Sequence, residues 1–297
     1  MKVKLLKRDP YLITGTHIHK DSSLFWIYDD NQYIGLHKTQ FSEQEQTFLL
    51  EWFPLPTDTF PLSPFAQTWK NFLEGDSSTF PVDEFTSYRV THYRSSSNTT
   101  SKENVLDIMQ SLLPEDTVLI PQTHYYGWIV EYGDSPFLGE EEWQAWSQAM
   151  EGDFYHRVSF FIGDPLQVKE HADLHIQLDE KLFDVGVSLQ HNNVIFNRAS
   201  VLPYYLMANY PVKERNALFE RILHLFLEEP EMVKTIKTYI TCQQNTSQTA
   251  KALYMHRNSL QYRLDKFTEK TSVDLKSFEG ALLTYLACIH MEVGKID

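Results

Sequence analysis

The sequence predicts an α+β protein of two or three domains, and three observations carry that expectation. The chain has 297 residues, more than a single hydrophobic core ordinarily organises. Through the first two-thirds, β-branched and aromatic runs alternate with segments whose apolar residues recur at helical spacing; from Pro203 onward only the helical spacing remains. Apolar residues make up 42% of the chain and charged residues 22%, enough apolar side chain to offset chain entropy and exclude general disorder.

Residues 1–79 read as a small α+β module. Leu24-Phe25-Trp26-Ile27-Tyr28 and Gln32-Tyr33-Ile34-Gly35-Leu36 flank Asp29-Asp30-Asn31, which is a hairpin pattern. Ser42-Glu43-Gln44-Glu45 is a capping box that opens a helix running to about Trp52. Pro54, Pro56, Pro61 and Pro64 end that helix in a stiff connector, and a short apolar-spaced stretch follows through Phe72 and Leu73.

Residues 80–202 read as an α/β domain. Strands are expected at Thr86–Tyr93, Thr117–Ile120, Tyr125–Glu131, Arg157–Ile162 and Asn193–Phe196. Helices are expected at Lys102–Leu113, with Val105, Ile108, Met109 and Leu112 on one face, at Glu140–Met150 and at Val168–Val185. The resulting βαββαβα order belongs to a ferredoxin-like or cyclase-like sheet with helices on one side. Ser95 to Ser101, seven small polar residues, reads as a loop.

Residues 203–297 read as an all-α domain. Leu218, Ile222, Leu225 and Phe226 mark one amphipathic helix, and Met232, Ile236, Tyr239 and Ile240 mark the next. Gln248–Leu253, Asn258–Thr268 and Phe278–Met291 follow, joined by short turns of the kind a helix-turn-helix uses, here at about residues 246–270. On the last helix Phe278, Leu282, Leu283, Leu286 and Ile289 form a face expected to complete the core and extend into an interface.

Composition removes several function classes. No apolar window approaches the roughly 20 residues that span a bilayer, and no apolar stretch follows Lys2, Lys4, Lys7 and Arg8 to make a signal peptide. Cys242 and Cys288 lack the spacing of a zinc site and read as free thiols, so the expected compartment is the cytoplasm. His171 and His175, four apart, and His17 and His19, two apart, have no evident third ligand, so no metal or other cofactor is expected. Glu140, Glu141 and Glu142 open a helix, where carboxylates favour its dipole rather than catalysis. Trp143, Trp146, Tyr125, Tyr126 and Trp128 suit a core better than a ligand pocket. No nucleophile elbow or phosphate-binding glycine loop is present, and an enzyme is not expected.

The net charge of −14 conceals an asymmetry. Residues 231–297 hold nine Lys/Arg against seven Asp/Glu, and Lys234–Lys276 hold eight against three. A basic stretch on an acidic body can hold a polyanion while the body resists wrapping. Within it, Thr246 or Ser247 is expected to cap a short helix that buries Ala250 and Leu253. Tyr254-Met255-His256 then forms the turn, with Met255 pointing inward. A second helix buries Leu260, Leu264 and Phe267 at i, i+4 and i+7. That leaves Arg257, Asn258, Ser259, Gln261 and Tyr262 outward, with Arg263 and Lys266 further along. Arg bonds guanine bidentately, Asn or Gln bonds adenine, and Lys or Tyr reaches phosphates, so these seven are the candidate DNA-binding residues.

The run Ala250-Lys-Ala-Leu-Tyr-Met-His-Arg-Asn-Ser-Leu-Gln-Tyr-Arg-Leu resembles the C-terminal helix-turn-helix of the PucR/CdaR family of bacterial transcription regulators. The likeness covers about the last 75 residues, including Thr235–Ile240 upstream and the Phe278 helix downstream, and His256-x-Asn258-Ser-Leu-x-Tyr262-Arg-Leu is its specific core. The resemblance implies sequence-specific binding of duplex DNA through Arg257, Asn258, Ser259, Tyr262 and Arg263. Three positions depart from the family pattern: Met255 stands for a β-branched residue, Gln261 for a common Arg, and Ser272 for a common Gly. The middle segment more loosely resembles the GGDEF-like domain that often precedes this helix-turn-helix. Its hairpin, Ile120-Pro121-Gln122-Thr123-His124-Tyr125, has neither the glycines nor the carboxylates that hold phosphates and magnesium, so the domain is expected to be degenerate.

Together these readings predict a transcriptional regulator whose partners are operator DNA, a second copy of the chain and a small-molecule effector, with no membrane partner. The alternatives are an enzyme or a protein-binding adaptor that uses the middle domain and keeps the helical tail for oligomerisation.

Overall fold

The computed structural model describes residues 13–15, 23–29, 32–53, 62–82, 87–95, 102–123, 125–133, 136–167, 172–189 and 193–293. The expectations placed on Pro54, Pro56, Pro61, Ser96–Ser101, His17, His19, His124 and His171 lie outside them. The fold is mixed α+β, and the chain divides into two compact units, Met1–Arg198 and Ala199–Asp297.

Among the described residues, the first unit contains two sheets. In the smaller, β2 (Leu24–Asp29) and β3 (Gln32–His37) form the expected hairpin, and β1 (Ile13–Gly15) pairs with the other edge of β3. Alternation sends Phe25, Ile27, Ile34 and Leu36 to one face, where they bury against Phe41, Leu49 and Phe53. Gly35 faces Trp26 across the hairpin, and a Cβ there would stand 2.9 Å from the indole ring. Only glycine leaves room for the ring to lie flat. The Ser42 capping box opens α1 (Glu43–Trp52), with Ser42 N donating to Glu45 Oε2 at 2.8 Å.

The larger sheet has the strand order β5-β6-β4-β7-β9, from β4 (Ser87–Ser95), β5 (Thr117–Pro121), β6 (Tyr126–Tyr132), β7 (Val158–Ile162) and β9 (Ile195–Asn197). A two-residue strand, β8 (Leu166–Gln167), also pairs with β4. Every pairing is antiparallel except β7 with β9. The first four full strands thus follow the ferredoxin-like order, with the fifth added at the edge.

One expectation is corrected: helices cover both faces of this sheet. On one face α3 (Lys102–Leu112) and α4 (Glu140–Phe154) bring Met109, Trp143 and Met150 onto Tyr93, Ile129 and Phe160. On the other, α2 (Pro64–Leu73) and α5 (Ala172–Leu189) bring Trp69, Leu73 and Ile176 onto Tyr88, Val90, Tyr126 and Trp128. The physical reason is visible in β4, which is buried at every residue from Tyr88 to Ser95 and therefore needs cover on both sides. The helix that supplies part of it, α2, is the short stretch ending at Phe72 and Leu73. On α3, Met109 is buried but Leu112 lies exposed.

The second unit is helical: α6 (Arg198–Asn209), α7 (Val212–Glu228), α8 (Pro230–Thr241), α9 (Thr246–Ala252), α10 (Arg257–Thr271) and α11 (Phe278–Val293). Its core gathers Phe219, Ile222, Phe226, Met232, Ile236, Leu260, Leu264 and Phe267. The helical run begins at Arg198, earlier than expected, with Pro203 inside α6. On α11 the expected core face is corrected. Gly280, Ala281, Thr284, Ala287 and Cys288 face inward with Ile289, whereas Phe278, Leu282 and Leu283 are exposed. Small residues are required because the backbone comes close: a Cβ on Gly280 would fall 2.0 Å from the Asp274 carbonyl oxygen. Cys242 and Cys288 are both free thiols, and burial pushes the Cys288 thiol up to about 12. No helix among the described residues is long and apolar enough to cross a membrane.

Candidate nucleic-acid interface

The candidate site is the outer side of α10, and the local sequence explains its form. After α8 the chain turns through Gln243 and Gln244, both in the left-handed region. Asn245 caps α9, its side chain accepting from Gln248 N at 3.1 Å. The cap therefore falls one residue earlier than Thr246, which opens the helix instead. Ala250 is buried, as expected of a small residue where helices cross. Tyr254 follows at φ 53°, and Met255 turns half-buried onto the core. His256 then caps α10, its ring Nδ1 accepting from Asn258 N at 3.2 Å.

On α10, Leu260, Leu264 and Phe267 are buried as their spacing requires, and Phe267 lies against Phe226 at 6.2 Å between ring centroids. Arg257, Asn258, Ser259, Gln261 and Tyr262 are all exposed, Tyr262 to 67%. Gln261 Nε2 donates to Asp265 Oδ1 at 2.8 Å, which steadies its amide along the helix. Arg257 holds no ion pair among the described residues. Ser272 ends the helix at φ 60°, a left-handed cap that glycine would adopt with less strain.

Two of the seven expected residues stand apart from the rest. Arg263 Nη1 donates to Thr235 Oγ1 at 2.9 Å and its Nη2 to Glu231 Oε2 at 3.0 Å. Lys266 Nζ lies 2.5 Å from Glu229 Oε1, a bond that raises the Lys266 ammonium above its ordinary value. Both cations are thus engaged with the start of α8. Between them and the leading part of α10 lies an open groove of about 610 Å³, lined by Glu229, Glu231, Asn258, Ser259, Tyr262 and Arg263 among others. No local sequence pattern marks Glu229 or Glu231 as partners of α10. Their partners sit some 30 residues away, beyond any local pattern. The turn residue Tyr254, 98% exposed, was likewise not among the expected contacts.

Among its described residues the middle domain offers no comparable constellation. Four of the five aromatics considered as a pocket are divided between opposite faces of the sheet: Trp143 and Trp146 pack with Phe160 on one, Tyr126 and Trp128 lie on the other. His175 bonds Arg198, which in turn pairs with Asp179 and Asp164, a cluster of internal ion pairs. No group of three His, Cys, Asp or Glu side chains among the described residues could hold a metal ion.

A short helix, a turn and a second helix with a buried inner stripe and a polar outer face define a helix-turn-helix DNA-binding regulator. Residues 232–289 match the PucR C-terminal helix-turn-helix domain. The chain belongs to that PucR-type family of DNA-binding transcriptional regulators. It is 30% identical to the uncharacterized protein YxkF of Bacillus subtilis (strain 168), a match spanning 92% of this chain and 93% of that one. It is also 51% identical over 39 residues to the Carbohydrate diacid regulator of Escherichia coli (strain K12), which is 13% of this chain and 10% of that protein. Over 62 residues it is 36% identical to the Proline-responsive transcriptional activator PutR of Bacillus subtilis (strain 168), 21% of this chain and 15% of PutR.

Proposed function

We propose that the protein reads operator DNA through the leading turns of α10, with Arg257, Asn258 and Gln261 at base edges and Ser259 and Tyr262 at the sugar-phosphate backbone. The observation that carries this reading is the division of α10 itself: Leu260, Leu264 and Phe267 seal one side while those five residues face outward. Arg263 acts mainly as a positioning residue, since its bond to buried Thr235 fixes α10 against α8. Lys266 is a backbone contact.

The protein works as a cytoplasmic homodimer. A single helix-turn-helix covers only a few base pairs, and exposed Phe278, Leu282 and Leu283 on α11 supply an apolar surface for a second copy. A small metabolite controls the spacing of the two heads. Folded elements ahead of the DNA-binding helices, and the names of the Proline-responsive and Carbohydrate diacid relatives, favour such control. The protein has no catalytic role in this account, since its middle hairpin lacks the residues cyclase chemistry requires.

The test begins with selection of genomic fragments by the purified full-length chain at a stated salt concentration. On the selected operator, Arg257→Ala and Asn258→Ala are each expected to weaken binding by about 1–3 kcal/mol. Unchanged affinity in both variants overturns the assignment of α10 as the reading helix.

A further inference from the structure

The two ion pairs on the inner flank of α10 differ in kind. Arg263 keeps a second bond, to the hydroxyl of buried Thr235, and so stays on α8 whatever Glu231 does. Lys266 pairs with Glu229, and both side chains are about one-third exposed. A lysine ammonium is a compact charge on a flexible stem, and an ion pair open to water is weak and easily exchanged. The pair lies on the same groove as Asn258, Ser259 and Tyr262, the side of α10 assigned to the duplex. A carboxylate there has two effects. It occupies the cation in the free protein, and it faces any incoming phosphate with a like charge.

We propose that Glu229 is a built-in competitor for DNA phosphate, holding Lys266 in the free protein and yielding it to the sugar-phosphate backbone when duplex docks. Glu231, its side chain mostly exposed, adds a second negative charge on the same groove and repels incoming phosphate without releasing Arg263. The role rests on the reading of α10 as the DNA-facing helix and adds to it a control on affinity. Contacts to phosphate carry no sequence information, so the two carboxylates suppress binding to duplex of any sequence and leave base readout to Arg257, Asn258 and Gln261.

The experiment is fluorescence anisotropy of the full chain on a labelled random-sequence duplex between about 50 and 200 mM salt. Glu229→Gln is expected to tighten binding by about 2- to 5-fold at every salt concentration, the worth of an exposed ion pair that no longer has to be broken. The slope of log affinity against log salt should stay close to that of wild type, because Lys266 meets the same phosphate in both complexes. Adding Lys266→Ala to Glu229→Gln should abolish the gain and make the slope shallower by about 0.9, one phosphate contact fewer. Glu220→Gln, which removes the same charge from an exposed position on α7, should leave affinity nearly unchanged. Wild-type affinity in Glu229→Gln, or a gain that survives Lys266→Ala, overturns the proposal. If Glu229→Gln fails to fold, Lys266→Ala alone decides: a slope shallower by about 0.9 supports the role, and an unchanged slope contradicts it. A wild-type chain that binds no duplex even at the lowest salt defeats the DNA-facing reading itself, a result distinct from binding with an unaltered affinity.

Discussion

The sheet domain and the DNA-binding helices use charge in opposite ways. In the sheet, Arg89 makes a two-bond pair with Glu131 at 2.8 and 2.7 Å, and the same guanidinium donates to the Leu138 carbonyl at 2.5 Å. Arg94 pairs with Asp184 at 2.7 Å, and Tyr126 donates to Glu180 at 2.6 Å. Most of these side chains are buried, and each is answered from within its own unit. On α10 the polar residues stand in water, and its two paired cations meet partners that are themselves partly or largely exposed. Burial ties a charge to one partner and so fixes a fold; exposure leaves it available to something arriving from outside.

The largest expected effect lies in the sheet. Glu131→Ala strands Arg89 beside Thr91 without its carboxylate, and the first unit should lose about 3–5 kcal/mol in denaturant unfolding. A loss comparable to that of an exposed pair would erase the contrast between the two regions. On α10 the corresponding removal, Arg257→Ala, should leave unfolding nearly unchanged while operator affinity drops by about 1–3 kcal/mol. Smaller again is Tyr254→Gly. The tyrosine holds a left-handed backbone with its ring in solvent, so glycine should stabilise the second unit by about 1 kcal/mol in thermal melting.

Mild acid should separate the units by sign alone. Burial raises Glu131 above its ordinary 4.5, so the folded state holds that proton more tightly than the unfolded state does. Its contribution to stability is full below 4.5 and is lost as pH rises through the raised folded value. His290 runs the other way. Burial, and then the nearby Arg215 charge, lower it below 6.5, so its contribution is full above 6.5 and is lost as pH falls toward the folded value. Melting curves recorded across that range should show Glu131→Gln flattening the first dependence and His290→Gln the second. Parallel curves for wild type and both variants would contradict the two assignments.

What was legible in the sequence follows the range of the forces involved. The Ser42 capping box, the hairpin around Asp29-Asp30-Asn31 and the Leu260, Leu264, Phe267 stripe are local patterns, and each forms as read. The α9 cap moved by one residue because Asn245, Thr246 and Ser247 are all competent and the left-handed Gln243-Gln244 turn chooses among them. Long-range features were not legible. That α2 would cover the second face of the sheet depends on Trp69 finding Tyr88 and Tyr132. The inward face of α11 is small because Gly280 must pass the Asp274 carbonyl, so the bulky Phe278 and Leu282 that looked like core are left outside. Within the candidate site the exposed residues were legible from helical period alone. The capture of Arg263 and Lys266 by α8 was not, since only the packed bundle brings Glu229 and Glu231 beside them.

Base reading by α10 is tested by comparing wild type with Asn258→Ala on a selected operator and on a set of its single-base-pair variants at one salt concentration. Wild type should discriminate at every contacted position, and Asn258→Ala should lose about 1–3 kcal/mol of discrimination at one position while retaining it at the others. Identical discrimination profiles for the two proteins would contradict base reading by the leading turns of α10.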